Sequence, residues 1–190
     1  SRGTTGPSYP APTPLPTPTP IPGPHLPPHR GLITVTGSIE NKPFMFDVTD
    51  AADLAAQCVA ANQNRIVNVD EINISVDFGP SRDFTTSGWW RGEGEACAAV
   101  ADKAIQMGLP QKMTAGFFAV GSVEGKSFML EGYTLRDVMV QCTEFHRMSG
   151  IVNADEMTVF NGHKIVTKKT SGWWSNSGEV CNTLIQAIQQ

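Results

Sequence analysis

The pentapeptide TSGWW occupies residues 86–90 and returns unchanged at residues 170–174, 84 positions further along the chain. The same separation relates GSIENKPFM at 37–45 to GSVEGKSFM at 121–129, and GEAC at 94–97 to GEVC at 178–181. Between these anchors the offset is 85, because IVNVDE at 66–71 matches IVNADE at 151–156. Self-similarity at a fixed period indicates a tandem duplication. An offset that slips and then recovers is expected from a loop insertion and a compensating deletion.

The four cysteines repeat with the duplicated segments. Cys58 and Cys97 are 39 positions apart, and so are Cys142 and Cys181. None stands in a CxxC or CxH arrangement, which argues against a zinc site. Four cysteines allow three pairings, of which Cys58–Cys97 with Cys142–Cys181 is the simplest. Closing each loop contributes about 4 kcal/mol in the chain-entropy model and requires an oxidising compartment. The alternative is four buried free thiols in a cytosolic protein.

Each repeat predicts the element order ββαββα. Alternating apolar residues before and after Asn41-Lys42, or Gly125-Lys126 in the second repeat, indicate a tight hairpin. Asp50 is a candidate N-cap for a helix over residues 51–62. A strand over residues 72–78 follows, and Asn161-Gly162 predicts the next hairpin, with a fourth strand to about residue 170. The last helix carries the second cysteine of each repeat.

These elements predict an α+β protein built by tandem duplication. Each unit is expected to form a four-stranded, mainly antiparallel sheet with both helices on one face, because this arrangement buries both apolar helical stripes. The disulfide would then join the two helices of a unit. The predicted domains are residues 31–110 and 111–190, preceded by a tether over residues 1–30.

The predicted tether holds 11 of the 14 prolines. Closely spaced prolines favour an extended polyproline II rod, in which about 25 residues reach on the order of 75 Å. We interpret it as a spacer between the domains and an anchor, such as a lipid-modified N-terminus. A PxxP ligand and a passive linker are the alternatives. The first residues do not read as a signal peptide, so an exported protein would already have lost its targeting segment.

Net charge and hydropathy limit the classes of partner that the chain is expected to bind. The formal net charge is −4 with no basic run, which argues against nucleic acid. No apolar stretch approaches the roughly 20 residues needed to cross a bilayer. Together with the cysteines, these features predict an exported protein in the periplasm, on the cell surface or outside a bacterial cell.

Signatures of catalysis and metal binding are scarce. The histidines are His25 and His29 in the tether, with His146 and His163 in the second repeat. No P-loop, nucleophile elbow or HExxH motif occurs, so we expect no cofactor, metal or catalytic residue. The recurring Glu95 and Glu179 leave a carboxylate-based glycan hydrolase as an alternative. Their position in the first turn of a predicted helix equally suits the helix dipole.

The four tryptophans are the candidate ligand-binding residues. Trp89, Trp90, Trp173 and Trp174 lie just before the helices that carry Cys97 and Cys181. Exposed rings would form an aromatic platform for a peptide, a glycan or a protein surface. The alternative is that the rings pack over the disulfides.

The sequence therefore predicts a non-enzymatic binding protein that presents two similar modules on a proline-rich stalk. A protein or a cell-wall glycan is the expected partner. An inhibitor or regulator of a secreted enzyme, acting through a hairpin at Asn41-Lys42 or Gly79-Pro80, is the second hypothesis.

Overall fold

A computed structural model describes residues 10–14, 32–61, 71–85, 93–123, 125–149, 156–169 and 177–190. The chain divides into two units, residues 1–30 and residues 31–190. In the first unit the described residues, 10–14, are exposed and have no regular secondary structure. In the described part of the chain, no helix combines the length and the apolar character that a membrane span requires.

The first half of the larger unit has the order ββαββα. Its elements are β1 Ile33–Ile39, β2 Lys42–Val48, α1 Ala51–Ala61, β3 Glu71–Val76, β4 Arg82–Thr85 and α2 Glu93–Gln106. The predicted cap of α1 is present, because Asp50 Oδ1 accepts a hydrogen bond from Asp53 N at 2.8 Å.

The second half repeats this order. Its elements are β5 Phe117–Val123, β6 Lys126–Gly132, α3 Leu135–Ser149, β7 Glu156–Phe160, β8 Ile165–Lys169 and α4 Ser177–Gln189. The described residues therefore form two four-stranded antiparallel sheets, with strand orders β2-β1-β3-β4 and β6-β5-β7-β8. The prediction of an α+β protein with antiparallel sheets is confirmed.

The β1–β2 turn corrects the predicted hairpin by one residue. The two turn residues are Glu40 and Asn41, with φ of 52° and 61°, whereas Lys42 already pairs with Ile39. Asn tolerates the left-handed region better than most residues, and it occupies the second turn position rather than the first. In the second half Gly125 takes that position with φ of 72°.

The strand registers explain the slip in the repeat. Thr36 pairs with Ser75 in the first half, whereas Val120, its equivalent at an offset of 84, pairs with Phe160 in the second. Since β1 corresponds to β5 at an offset of 84, this register makes β3 correspond to β7 at an offset of 85. The register of the last hairpin returns β4 and β8 to an offset of 84. The β7–β8 turn is therefore one residue shorter than the β3–β4 turn.

The helices and sheets form four layers. Helices α1 and α2 cover one face of the first sheet, and α2 also packs on β5, β6 and β7 of the second sheet. Helices α3 and α4 pack on the second sheet as well. Because α1 and α2 belong to one apolar cluster and α3 and α4 to another, the order of layers is sheet, helices, sheet, helices.

Strand β5 shows the consequence of this layering. Phe118 and Val120 belong to the cluster around α1 and α2, whereas Ala119 and Val123 belong to the cluster around α3 and α4. Successive residues of a strand point to opposite faces, so both faces of the second sheet are covered. The first sheet instead leaves one face open, on which Met45 is 68% exposed.

Both predicted disulfides are present. Cys58–Cys97 joins α1 to α2, and Cys142–Cys181 joins α3 to α4, each across a separation of 39 residues. All four cysteines are buried. The first bond therefore staples the helix layer that lies between the two sheets, and the second staples the outer layer.

A glycine permits close contact between the halves. Gly94, in the first turn of α2, faces β5 so closely that a Cβ there would lie 1.9 Å from the carbonyl oxygen of Gly121. The adjoining contact is polar, because Gly94 N donates to Ser127 Oγ at 2.8 Å. Only glycine lets the helix backbone approach the strand at this distance.

Candidate functional site

The predicted tryptophan platform lies outside the described residues. Trp89, Trp90, Trp173 and Trp174 precede the first residue of α2 or α4, and their role as ligand-binding residues stays a prediction.

Of the two carboxylates considered for hydrolysis, Glu95 takes part in packing and Glu179 is exposed. Glu95 lies in the first turn of α2, and Ser122 Oγ donates a hydrogen bond to its Oε2 at 3.3 Å. Glu93 Oε2 accepts from Ser127 Oγ at 3.4 Å. These bonds join a helix of the first half to strands of the second. Glu179 is exposed in the first turn of α4, where it suits the helix dipole.

The histidines do not converge on a described site. His25 and His29 lie outside the described residues, and of the histidine side chains in the second half only His163 is described. His163 Nδ1 lies 3.2 Å from Gln111 Oε1. Among the described residues, no group of three or more His, Cys, Asp or Glu side chains is arranged to hold a metal ion.

A groove of about 1200 Å³ opens where the two halves meet. The first half contributes the start of α1 and the residues just before it, and the second half contributes the corresponding part of α3 with the end of β6. Asp53 and Asp137 are equivalent in the repeat, and both line this groove. The groove is therefore a feature of the pair of halves that a single half does not form.

Asp50 fixes the groove wall that comes from the first half. It is 2% exposed, and besides capping α1 it accepts a hydrogen bond from Met113 N through Oδ2 at 2.9 Å. Ala51 N donates to Pro110 O at 2.9 Å beside it. The segment that joins the two halves is thus tied to the first turn of α1, and both oxygens of the Asp50 carboxylate are engaged.

The wall from the second half is fixed by a reciprocal cap. Asp137 N donates to Thr134 Oγ1, and Thr134 N donates to Asp137 Oδ2, each at 3.1 Å. One turn further, Gln141 forms two hydrogen bonds with the backbone of Glu131. The Gln141 bonds hold α3 against β6, and the four bonds together engage Asp137 Oδ2 and both polar atoms of the Gln141 side-chain amide.

Four side chains of this wall remain unengaged. Tyr133 is 84% exposed and Val140 is 60% exposed. Glu131 and Arg136 are also exposed, and neither side chain forms a hydrogen bond or ion pair with another described residue. An aromatic ring, an aliphatic side chain and one charge of each sign therefore line the groove without a role in holding the fold together.

Lys112 separates the groove from a smaller cavity of about 480 Å³. Its Nζ donates to the carbonyl oxygens of Thr114 and Gly116, with the second bond at 2.7 Å. Phe117 and Phe118 line both cavities. The lysine amine is thus used to fold the joining segment back on itself, and the aromatic pair forms an apolar wall common to both spaces.

Part of this site had a signal in the sequence. The pair Asp53 and Gln57 recurs as Asp137 and Gln141, and three of these four residues line the groove. Tyr133, Arg136 and Val140 had no such signal, because Thr49, Ala52 and Ala56 occupy the equivalent positions of the first half.

No protein-family model, curated protein or solved structure matches the chain. The function is therefore argued from the groove itself.

Proposed function

We propose that this chain is an exported, non-enzymatic binding protein whose ligand lies in the groove between its two halves. The proposal rests on one observation: some groove residues hold the fold together, whereas others are exposed and form no such contacts. Asp50, Asp137 and Gln141 are engaged in the fold. Tyr133, Arg136 and Val140 are exposed and have no such engagement among the described residues. Exposed aromatic and arginine side chains are the residue types enriched at binding hot spots.

The ligand class that best fits these side chains is an extended peptide segment of a partner protein. Ala52, Ala56 and Val140 give the groove an aliphatic lining, which suits apolar peptide side chains better than sugar hydroxyls. Arg136 is positioned to bind a carboxylate of the ligand, and Glu131 a basic group or a backbone N–H. A glycan would instead favour many free polar groups beside the aromatic rings, whereas Asp50, Asp137 and Gln141 of this groove are engaged in the fold.

The two halves are proposed to derive from a tandem duplication of one ββαββα unit, over residues 31–110 and 111–190. The equal cysteine separations, the matching strand orders and the single compensated slip in register support this origin. A duplication also explains how the groove arose, because the same region of the unit lines it from both halves.

The two disulfides are compatible with an exported protein. We propose that residues 1–30 act as a proline-rich tether that holds the binding unit away from its anchor. The tether would increase the reach of the groove toward a partner without taking part in binding.

The experiment is a selection of phage-displayed peptides on residues 31–190, followed by calorimetric titration of the enriched peptides. We expect Tyr133→Ala and Arg136→Ala each to weaken binding by roughly tenfold or more, as for hot-spot residues. Met45→Ala is the matched control, since Met45 is 68% exposed on the open face of the first sheet. Enriched peptides that bind both groove variants as tightly as the wild type would refute the proposal.

A further inference from the structure

The tip of the β3–β4 hairpin places an aromatic side chain in a backbone conformation that aromatic residues avoid. Gly79 N donates to Val76 O at 3.0 Å, which closes a four-residue turn. The two central residues, Asp77 and Phe78, have φ of 53° and 59°. Two positive φ values in a row are typical of a type I′ turn, for which Asn-Gly and Asp-Gly are the preferred pairs. A phenylalanine at the second position is a conformational outlier.

The equivalent turn of the second half avoids this strain. The turn between β7 and β8 is one residue shorter than the turn between β3 and β4, so Asp77 and Phe78 have no one-to-one equivalents in it. The positive φ there, 95°, falls on Gly162, and His163 is not in the left-handed region. The second half therefore connects the equivalent strands through a glycine, without an aromatic residue in the left-handed region.

The Phe78 side chain packs too little against the rest of the protein to offset its unfavourable backbone conformation. Its side chain is 74% exposed, and it belongs to neither apolar core of the described residues. The Asp77 side chain is exposed as well and forms no hydrogen bond or ion pair with another described residue. An unfavourable backbone conformation that is not offset by burial points to a role outside folding.

We propose that Phe78 is the anchor of a second interaction surface, which docks into an apolar pocket of a partner protein. Asp77 would meet a basic or amide donor at the rim of that pocket. A single buried aromatic side chain flanked by a charged hydrogen-bonding group is a common hot-spot arrangement. The surface lies on a hairpin tip and needs none of the groove residues, so it stands independently of the proposed function.

A protein partner fits this tip better than a lipid surface. Asp47 and Asp83 are exposed on the neighbouring open face of the first sheet, whereas Arg82, at the start of β4, lies over the Phe84 ring on the other face. Anionic headgroups would be repelled by these carboxylates together with Asp77. One aromatic ring also buries too little apolar area to hold a protein on a bilayer.

The first measurement is thermal unfolding of Phe78→Gly and Phe78→Asn in the full chain. Glycine and asparagine adopt positive φ readily, so we expect both variants to raise the melting temperature, by roughly 2–4 °C. A matched control is Met45→Ala, which removes an equally exposed side chain from an extended strand and should leave the melting temperature unchanged. If both Phe78 variants lower the melting temperature, Phe78 is a structural residue and the proposal fails.

The second measurement is photo-crosslinking with benzoylphenylalanine at position 78, applied to the secreted and envelope fractions of the producing cells. We expect one discrete product, larger than the chain by the mass of a partner protein, that excess wild-type chain suppresses about tenfold and excess Phe78→Gly chain does not. The same probe at position 45 should not give this product. The proposal is overturned by a product that adds only the mass of a lipid to the chain, by equal competition from the glycine variant, or by the absence of a discrete product.

Discussion

The carboxylate of Asp50 accepts a hydrogen bond from the backbone N–H of Met113 at 2.9 Å, across a sequence separation of 63 residues. Asp50 is the N-cap of α1 in the first half, and Met113 belongs to the segment that leads into β5 of the second. One buried side chain thus sets both the start of a helix and the path of the chain between the halves. The shape of the groove depends on this contact, since Asp50 lies in its lining.

Asp50→Ala is expected to lower the free energy of unfolding by about 2–4 kcal/mol, because it removes an N-cap and leaves a backbone N–H without its acceptor. Asp50→Asn is the matched control. It retains one acceptor oxygen for the cap and should lose less stability. Urea denaturation of both variants measures the difference. An alanine variant within about 0.5 kcal/mol of the wild type would show that the contact is not needed.

Gly94→Ala is expected to destabilise the protein by roughly 2 kcal/mol or more, since the new methyl group would overlap the carbonyl oxygen of Gly121. The sign of the effect is diagnostic. In an open helix position, replacing glycine by alanine increases stability by up to about 1 kcal/mol. Thermal or chemical denaturation of this single variant suffices, and an increase in stability would contradict the close approach of α2 to β5.

The two disulfides should differ in their contribution to stability. Each closes a loop of the same length, for which the chain-entropy model gives roughly 4 kcal/mol. Replacing Cys58 and Cys97 by alanine also opens space in a helix layer that is covered by a sheet on both sides. We therefore expect this double variant to be less stable in urea than the one that lacks Cys142 and Cys181. The reverse order would contradict the four-layer arrangement.

Local features of the fold could be read from the sequence because they depend on nearby residues. The helix cap at Asp50, the cysteine pairs and the fourth strand after Asn161-Gly162 are of this kind. The β1–β2 turn was misplaced by one residue, since Glu40 adopts a positive φ that its residue type does not favour. Of the two turn residues, only its neighbour Asn41 is of a type that tolerates a positive φ.

The packing of the two halves against each other was not predicted. A comparison of equivalent residues in the two repeats nevertheless indicates which faces are covered. Thr34 and Thr36 on the open face of the first sheet correspond to Phe118 and Val120, which are buried in the second. Ala98 is buried in α2, whereas its equivalent in α4, Asn182, is exposed. Such exchanges mark a face that is covered in one half and open in the other. The exposed Tyr133 and Arg136 have no equivalent signal, because binding residues need not fit a packing rule.

The most direct test of ligand binding in the groove is an amide chemical-shift titration of residues 31–190 with the selected peptide that binds most tightly. We predict that the largest shifts fall at residues 49–56 and 131–141, on the two walls of the groove. Shifts concentrated instead at residues 86–92 and 170–176, around the two tryptophan pairs, would contradict the groove and place the ligand on the aromatic platform.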